Sequence, residues 1–389
     1  MEATVINILC RPSAIFLILI SACFHATASS QATIKGAYYP SWAQDTISPS
    51  SINTKLFTHI YFAFLTPNNV TFSLDHDIQP AQALFLSNFT STLKPHVQTL
   101  FSVIGNSSLL ARMAADPSSR AAFIRSSIQV ARRLGFDGVD LDWEYPQFRA
   151  DMDNLCHLLD EWRVEVQKEA AATGRPPLLL TAAVYYSPVI SWPRVRSYPA
   201  AAVRKNLDWV NVMNYDYVGW WDRPLVTGAH AALFDPRSNV STSYGLGAWI
   251  RAGVPRGKLV MGLPLYGRSW QLEDPTRSRG IGAPAVGRGP GEGELTYADV
   301  VRFNKQNRAD VVYNSETVSV YSVAGSSWIG YDDAKSVAVK IGYAQRLGLR
   351  GYYFWTVVGD NNWEISERVM ASVRDERLLA LSMKNDNGI

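Results

Sequence analysis

The sequence predicts an α/β fold, a closed (β/α)8 barrel, and two observations carry the prediction. Eight short runs are rich in β-branched and aromatic residues, and amphipathic segments lie between several of them, as in parallel βαβ units. The runs are Ile34–Tyr39, His59–Leu65, Thr99–Ile104, Gly138–Glu144, Leu178–Val184, Trp209–Tyr215, Lys258–Leu263 and Gly351–Trp355. The clearest helical segments are Ser119–Leu134, Met152–Ala171 and Asp332–Leu347. An open doubly wound sheet is the alternative, but no glycine-rich phosphate loop follows the first run.

The stretch between the seventh and eighth runs, residues 264–350, is far longer than a plain crossover requires. Gly280–Gly293 is rich in glycine and proline and predicts a loop. Leu295–Lys305 then has a helical pattern, and Val311–Tyr321 has the composition of strands. We therefore predict a TIM barrel with a small α+β insertion between strands 7 and 8, over about residues 270–328.

Composition narrows the class of function. The chain has 389 residues, of which 47 % are hydrophobic, enough for a large core. The net charge of +3 is too small to favour a nucleic-acid partner. The 12 Trp and 18 Tyr are typical of core packing, but also of clefts in which aromatic faces pack on sugar rings.

The N-terminus has the pattern of a signal peptide. Arg11 precedes the apolar run Ala14–Phe24, and Ala26-Thr27-Ala28 fits a cleavage site after residue 28. We expect a catalytic barrel over residues 29–377 and a flexible tail over 378–389. No later stretch reaches the roughly 18 apolar residues of a membrane span. We therefore expect a secreted protein, extracellular or in the cell wall, with the vacuole as an alternative, and no membrane association after cleavage.

Cleavage would leave Cys156 as the one cysteine of the mature chain, so no internal disulfide is expected. Cys156 lies in an apolar helical stretch, which favours an inert, buried thiol. Four Asn-x-Ser/Thr sequons are candidate glycosylation sites in a secreted protein. They are Asn69, Asn88, Asn106 and Asn239.

The fourth run carries the most informative pattern, from Asp137 to Glu144. Side chains alternate faces along a strand, so Asp140, Asp142 and Glu144 should share one face. Three neighbouring carboxylates repel one another, and at least one should keep its proton near neutral pH, as a general acid requires. Pro146 should end the strand, which places Glu144 at the carboxyl-terminal edge where barrel active sites lie.

Two other interpretations of this acidic strand are weaker. A solvent-facing, acidic strand conflicts with the packing of parallel strands, which are covered on both faces. A calcium loop would need a glycine after the third ligand and a distant glutamate, and neither is present. We therefore expect no metal.

The chain resembles glycoside hydrolase family 18, and within it the plant class V chitinases. Asp137 to Glu144 match the signature Asp-Gly-x-Asp-x-Asp-x-Glu without a gap, and the likeness extends from Tyr38 to Trp355. Family 18 is a known substrate-assisted exception among glycosidases. The resemblance implies that Glu144 is the acid and base, that Asp142 orients the substrate's acetamido group, and that Asp140 shares a proton with Asp142. It also makes Ser102 and Asp137 supporting residues.

The resemblance implies further roles around the cleft. Met213-Asn214-Tyr215-Asp216 matches the family's Met-x-Tyr-Asp, in which Tyr215 binds the reacting acetamido carbonyl. Trp355 would form the floor of the pocket that holds the sugar to be cleaved. The implied sugar-binding residues are Tyr38, Trp42, Phe64, Met213, Asp216, Trp221, Tyr266, Arg268 and Trp355.

Three positions depart from the family pattern. Ile104 replaces a glycine of Ser-x-Gly-Gly, where a branched side chain could crowd the pocket. Asn106 stands where many animal relatives have a sugar-stacking tryptophan. Asn214 replaces a smaller residue; it should point to the outer face, and we expect little effect from it.

The leading hypothesis is a retaining chitinase that hydrolyses β-1,4 bonds between N-acetylglucosamine units without a cofactor. A chitinase-like lectin is the first alternative, and an inhibitor or structural protein on a barrel scaffold is the second. Chitin or chitooligosaccharides are the expected partners, and we expect a monomer. Plant defence and the hydrolysis of a signalling oligosaccharide both remain open roles.

Overall fold

The computed structural model describes residues 32–75 and 78–371. The predicted signal peptide and the tail after residue 377 therefore lie outside the described residues. In chain order the strands are β1 (Ile34–Pro40), β2 (His59–Leu65), β3 (Gln98–Ile104), β4 (Gly138–Asp142), β5 (Leu179–Tyr185), β6 (Val189–Ile190), β7 (Arg196–Ser197), β8 (Trp209–Met213), β9 (Leu259–Pro264), β10 (Tyr266–Leu272), β11 (Ala285–Arg288), β12 (Glu294–Thr296), β13 (Asp310–Asn314), β14 (Ser319–Ala324), β15 (Ser327–Tyr331) and β16 (Gly351–Trp355).

Eight of these strands close into a parallel barrel in the order β1-β16-β9-β8-β5-β4-β3-β2. The predicted (β/α)8 barrel is thus confirmed, and each of the eight predicted runs overlaps one barrel strand. Successive side chains of β4 point to opposite faces of the barrel. Val139 and Leu141 join the apolar layer beneath the helices, while Asp140 and Asp142 face the barrel interior.

The helices are α1 (Pro80–Leu93), α2 (Ser107–Ala115), α3 (Pro117–Leu134), α4 (Arg149–Thr173), α5 (Ala200–Asn206), α6 (Thr242–Arg251), α7 (Tyr297–Asn307) and α8 (Ala334–Leu347). Helix α3 shows why their bounds fall where they do. The Asp116 carboxylate accepts a hydrogen bond from Ser119 N at 2.9 Å and Pro117 begins the first turn. Gly135 then ends the helix with φ at +79°, which favours glycine.

The segment between the seventh and eighth barrel strands forms the predicted insertion. Its antiparallel sheet has the order β11-β10-β15-β14-β13, with β12 also paired to β10, and α7 lies between β12 and β13. The sheet runs from Tyr266 to Tyr331, a few residues beyond each predicted boundary. The difference at the start arises because a single residue, Leu265, separates β10 from the barrel strand β9.

A two-stranded hairpin, β6–β7, lies between β5 and α5. Cys156 on α4 is half-buried rather than fully buried as expected. No helix in the described ranges is long and apolar enough to cross a membrane.

Candidate active site

A pocket of about 220 Å³ opens at the carboxyl ends of the barrel strands. It gathers nine of the residues that the sequence singled out, from strands β1, β4, β8, β10 and β16 and the turns that follow them. The lining residues are Tyr38, Asp142, Glu144, Tyr145, Ala183, Met213, Tyr215, Asp216, Tyr266, Arg268, Glu294 and Trp355.

Asp140 lies beneath this pocket and is fully buried. Its Oδ2 accepts hydrogen bonds from Tyr38 at 2.8 Å and from Ser102 at 2.7 Å, and its Oδ1 accepts one from Thr181 at 2.6 Å. Burial raises the pKa of Asp140, and the three hydroxyl donors oppose that rise. Asp140 is therefore a fixed acceptor beneath the pocket, and Ser102 is one of its three hydroxyl donors.

Asp142 and Glu144 both line this pocket, close enough for the titration of each carboxyl group to depend on the other. Burial raises the pKa of Asp142 well above its ordinary value, and the negative charges of Glu144 and Asp140 add to the effect. One oxygen, Asp142 Oδ1, is buried without a hydrogen-bond partner in the described part of the chain. It is available to a donor that enters the pocket.

Glu144 is the solvent-exposed member of the three acidic residues. The protein atoms around it nevertheless displace enough bulk water to raise its pKa, and the negative charge of Asp216 raises it further. Strand β4 ends at Asp142 rather than at Glu144 as predicted. Glu144 lies two residues beyond the end of β4, and its side chain still lines the pocket together with that of Asp142.

Tyr215 reaches the pocket just after β8 ends, and its hydroxyl lies 3.0 Å from that of Tyr353. The Tyr353 hydroxyl can occupy its position only because residue 262 of β9 is a glycine. A Cβ at Gly262 would lie 2.7 Å from the Tyr353 hydroxyl and 2.5 Å from Val212 O, so only glycine fits there. The fully buried Tyr353 hydroxyl thus fixes the position of the Tyr215 hydroxyl, which belongs to the pocket lining.

Asp216 adopts a left-handed conformation, with φ at +59°, and turns its carboxylate toward the insertion. It accepts hydrogen bonds from Tyr266 Oη at 2.8 Å and from Arg268 Nε and Nη2 at 2.8 and 2.6 Å. His230 Nδ1 lies 3.5 Å from its Oδ1. Burial acts to raise the pKa of Asp216, but these His230 and Arg268 contacts prevail and lower it. Asp216 is therefore a carboxylate at the pH values where Glu144 can hold a proton.

Aromatic side chains continue from the pocket floor onto the surface. Phe64 stacks on Trp355 with ring centres 5.8 Å apart, and Trp42 lies 6.5 Å beyond Phe64. Trp42 is 65 % exposed, and Trp221 is 42 % exposed with the Arg268 guanidinium 5.0 Å from its ring. Trp42, Phe64 and Trp221 thus lie at the rim, outside the pocket itself.

Other predicted residues lie away from the pocket. Asp137 precedes β4 at the opposite end of the barrel, where it accepts hydrogen bonds from Thr99 and pairs with Lys94 at 2.9 Å. Ile104 is half-buried opposite Asp142 in the β3–β4 register and is not a lining residue. Asn214 is buried and accepts a hydrogen bond from Gly262 N at 3.3 Å, so it anchors β8 to β9.

The four sequon asparagines are all exposed. Asn106 has a second use, since its side chain caps α2 by accepting a hydrogen bond from Leu109 N at 2.8 Å. Their glycosylation stays a prediction.

Several residues in and around the site were not among those predicted from the sequence. Tyr353 is two residues before Trp355 on β16, so alternation could have found it. Thr181 pairs with Asp140 in the β4–β5 register, and Asn211 donates to the Tyr38 hydroxyl at 2.9 Å from two residues before Met213. Glu294 begins β12 and His230 lies in the segment between β8 and α6, and no local pattern marks either residue.

Curated relatives align with most of the chain. Class V chitinase CHIT5b of Medicago truncatula is 50 % identical over 343 residues, which cover 86 % of this chain and 88 % of the relative. Nod factor hydrolase protein 1 of the same plant is 50 % identical over 350 residues, 87 % of this chain and 89 % of that protein.

Solved structures share the whole fold. A glutamate-to-glutamine mutant of class V chitinase from Nicotiana tobaccum, in complex with NAG4, matches with a TM-score of 0.83 at 42 % identity, covering 88 % of this chain and 99 % of the other. The chitinase-like agglutinin RobpsCRA of Robinia pseudoacacia matches with a TM-score of 0.80 at 39 % identity, over 87 % and 99 % of the two chains.

The sequence profile described as glycosyl hydrolases family 18 matches residues 35–360, a span that contains every pocket-lining side chain. The carboxylates beneath and within the pocket lie inside the matched residues. This match and the 50 % identity of the relatives show that the chain belongs to glycosyl hydrolase family 18.

Proposed function

We propose that the protein is a retaining chitinase that hydrolyses chitooligosaccharides with Glu144 as proton donor. The observation that carries the proposal is that Glu144 lines one pocket together with Asp142 and Tyr215, and that burial there raises the pKa of Glu144. A carboxyl group that keeps its proton near the working pH can donate it to a leaving oxygen.

The proposed reaction follows the substrate-assisted course of the family. Glu144 donates its proton to the glycosidic oxygen, and the C1–O bond breaks as the substrate's own 2-acetamido carbonyl oxygen bonds to C1. Water then attacks C1 of the resulting oxazolinium ion and gives a proton to the Glu144 carboxylate. This attack opens the oxazolinium ring and leaves the configuration at C1 the same as in the substrate. The acid is thereby restored.

Two features of the pocket suit the acetamido group in this course. The buried Asp142 Oδ1, which lacks a protein partner, can accept a hydrogen bond from the acetamido N–H and stabilise its positive charge. The Tyr215 hydroxyl can donate to the carbonyl oxygen and so hold it for attack. Trp355 supplies an apolar surface beneath the sugar ring.

The relatives support the substrate class. The Nicotiana tobaccum structure contains NAG4, and a Medicago truncatula relative is named as a Nod factor hydrolase. We therefore propose chitooligosaccharides as substrates, with Nod factors as a second class to compare. The four exposed sequons suit passage through the secretory route, and we propose that the protein is secreted.

A glycan-binding protein without activity is the second candidate, because the agglutinin from Robinia pseudoacacia shares the fold at 39 % identity. Glu144, Asp142 and Tyr215 together line the pocket here, which favours hydrolysis.

Product analysis tests the two candidates. The purified chain and its Glu144→Gln variant are incubated with N-acetylglucosamine oligomers of increasing length and with Nod factors. We expect the parent alone to cleave, with the β-anomer released first, and both proteins to bind. Binding without cleavage by the parent would favour the lectin, and equal turnover by the variant would remove Glu144 from its role.

A further inference from the structure

The segment that follows β4, residues 143–148, carries Glu144 but belongs to no strand or helix. Side chains from other elements of the fold hold several of its polar backbone groups. Asp151 of α4 satisfies the far end, where its Oδ2 accepts hydrogen bonds from Gln147 N at 2.8 Å and Phe148 N at 2.9 Å. The part next to Glu144 is held by two other residues.

Ser107 is the first of them. Its hydroxyl donates to Tyr145 O at 2.6 Å and accepts from Trp143 Nε1 at 3.1 Å. One oxygen atom thus joins the two residues that flank Glu144. Ser107 is itself fixed, because it begins α2 directly after the capping residue Asn106.

Arg196 is the second. It lies on β7 and is 5 % exposed, and its Nε donates to Pro146 O. Its Nη1 donates to Trp192 O and, at 2.8 Å, to Arg194 O, which closes the β6–β7 hairpin. Within the described residues Arg196 forms no ion pair, so the donors of this buried cation are used on backbone carbonyls.

We infer that Ser107 and Arg196 are positioning residues that hold the Glu144 segment from two sides of the cleft. The inference rests on the proposed function of Glu144 as proton donor. Proton transfer requires the acid to lie within a few tenths of an ångström of its productive place, and this accuracy needs supporting side chains. Neither residue lines the pocket, so neither should contribute to the binding of substrate directly.

Ser107→Ala tests the first support, with Ser107→Thr as the conservative variant that keeps the hydroxyl. Ser108→Ala is the matched control, since Ser108 is the next residue of the same helix, is exposed, and donates its hydroxyl hydrogen bond to Asn106 Oδ1 at 2.7 Å rather than to the Glu144 segment. The measurements are kcat and KM on an N-acetylglucosamine oligomer, the Kd for that oligomer in the Glu144→Gln background, and Tm.

For Ser107→Ala we expect kcat to fall about 10- to 100-fold, with KM and Kd within about twofold. Ser107→Thr should recover most of the loss, and Ser108→Ala should match the parent. Arg196→Lys, which keeps the charge but loses the guanidinium fork, should also lower kcat at nearly constant Kd. This second variant tests the inference if Ser107→Ala does not fold.

Two results separate the inference from the proposed function. A parent that cleaves none of the oligomers would overturn both. A parent that cleaves, together with Ser107→Ala and Arg196→Lys variants of unchanged kcat, would overturn the positioning role alone. A rise in KM and Kd at constant kcat would likewise overturn it, because it would indicate a role in binding.

Discussion

Arg268 and Asp216 are joined by two parallel hydrogen bonds, from Nε and Nη2 to the two carboxylate oxygens, at 2.8 and 2.6 Å. This fork connects β10 of the insertion to the end of barrel strand β8. The planar guanidinium donates one hydrogen bond to each carboxylate oxygen. A lysine ammonium group at the same place cannot form this pair of parallel hydrogen bonds.

Arg268→Lys should therefore weaken substrate binding although the charge is kept. We expect KM to rise about tenfold, which corresponds to the loss of about one charge-assisted hydrogen bond. Arg302→Lys is the control, because Arg302 forms an exposed pair with Asp299 on α7, away from the pocket. Steady-state kinetics on a chitooligosaccharide measure the effect, and an unchanged KM would contradict the role of the fork.

Asp216→Asn should change the pH dependence of activity as well as its size. Burial and the negative charge of Asp216 both raise the pKa of Glu144, so removing that charge should lower the pKa. The protonated form of Glu144 would then be lost at a lower pH, and the basic limb of the kcat/KM profile should shift downward. Glu294→Gln is the control, because Glu294 also lines the pocket and binds Arg268 but is 54 % exposed to solvent, and its loss should shift the basic limb less. A basic limb at the same pH in the parent and Asp216→Asn would refute the coupling.

Tyr38→Phe should lower kcat through Asp140. The change removes one of three hydroxyl donors to a fully buried carboxylate and leaves Asn211 Nδ2 without its acceptor. We expect a loss of about 10- to 100-fold, since a hydrogen bond to a charged group contributes about 1.5–3 kcal/mol. Tyr61→Phe is the matched control, because Tyr61 stacks on Tyr38 but its hydroxyl contacts Asn211 and Trp209 rather than a carboxylate. Equal losses for both variants would mean that ring packing, not the donor, is what matters.

Lys340→Ala should reduce stability strongly. Lys340 and Asp332 form an ion pair in which both side chains are 1 % exposed, and Lys340 also donates to Ala231 O at 2.6 Å. Removing one partner leaves a buried charge, so we expect the free energy of unfolding to fall by about 3–5 kcal/mol. The exposed pair of Lys205 and Asp160, with side chains 71 % and 40 % exposed, is the control, and Lys205→Ala should cost at most about 1 kcal/mol. Urea unfolding measures both, and similar losses would show that burial adds nothing to the first pair.

Local sequence patterns were enough to predict the (β/α)8 barrel and the strands that form it. Alternation along β4 placed Asp140 and Asp142 inward, and the eight runs matched eight barrel strands because buried parallel strands have a distinctive composition. The support of the site was not predictable in this way. Ser107 and Arg196 contact neighbours of Glu144, and His230 contacts Asp216, across 14 to 50 residues of sequence. Such pairings depend on how the loops pack. The end of β4 was misjudged for the same reason, since the backbone beyond Asp142 takes its hydrogen bonds from side chains rather than from a neighbouring strand.

The single residue between β9 and β10 has a consequence for how such a protein can be altered. Because β10 brings Tyr266 and Arg268 into the pocket, the insertion is not a detachable module beside a self-sufficient barrel. A shortened chain that lacked it would leave the Asp216 carboxylate without its hydrogen bonds from Tyr266 and Arg268, next to Glu144, whose pKa the Asp216 charge raises. Changes of length are better placed in β13 and β14 and in the turn that connects them, because β15 separates these strands from β10 and none of their residues lines the pocket.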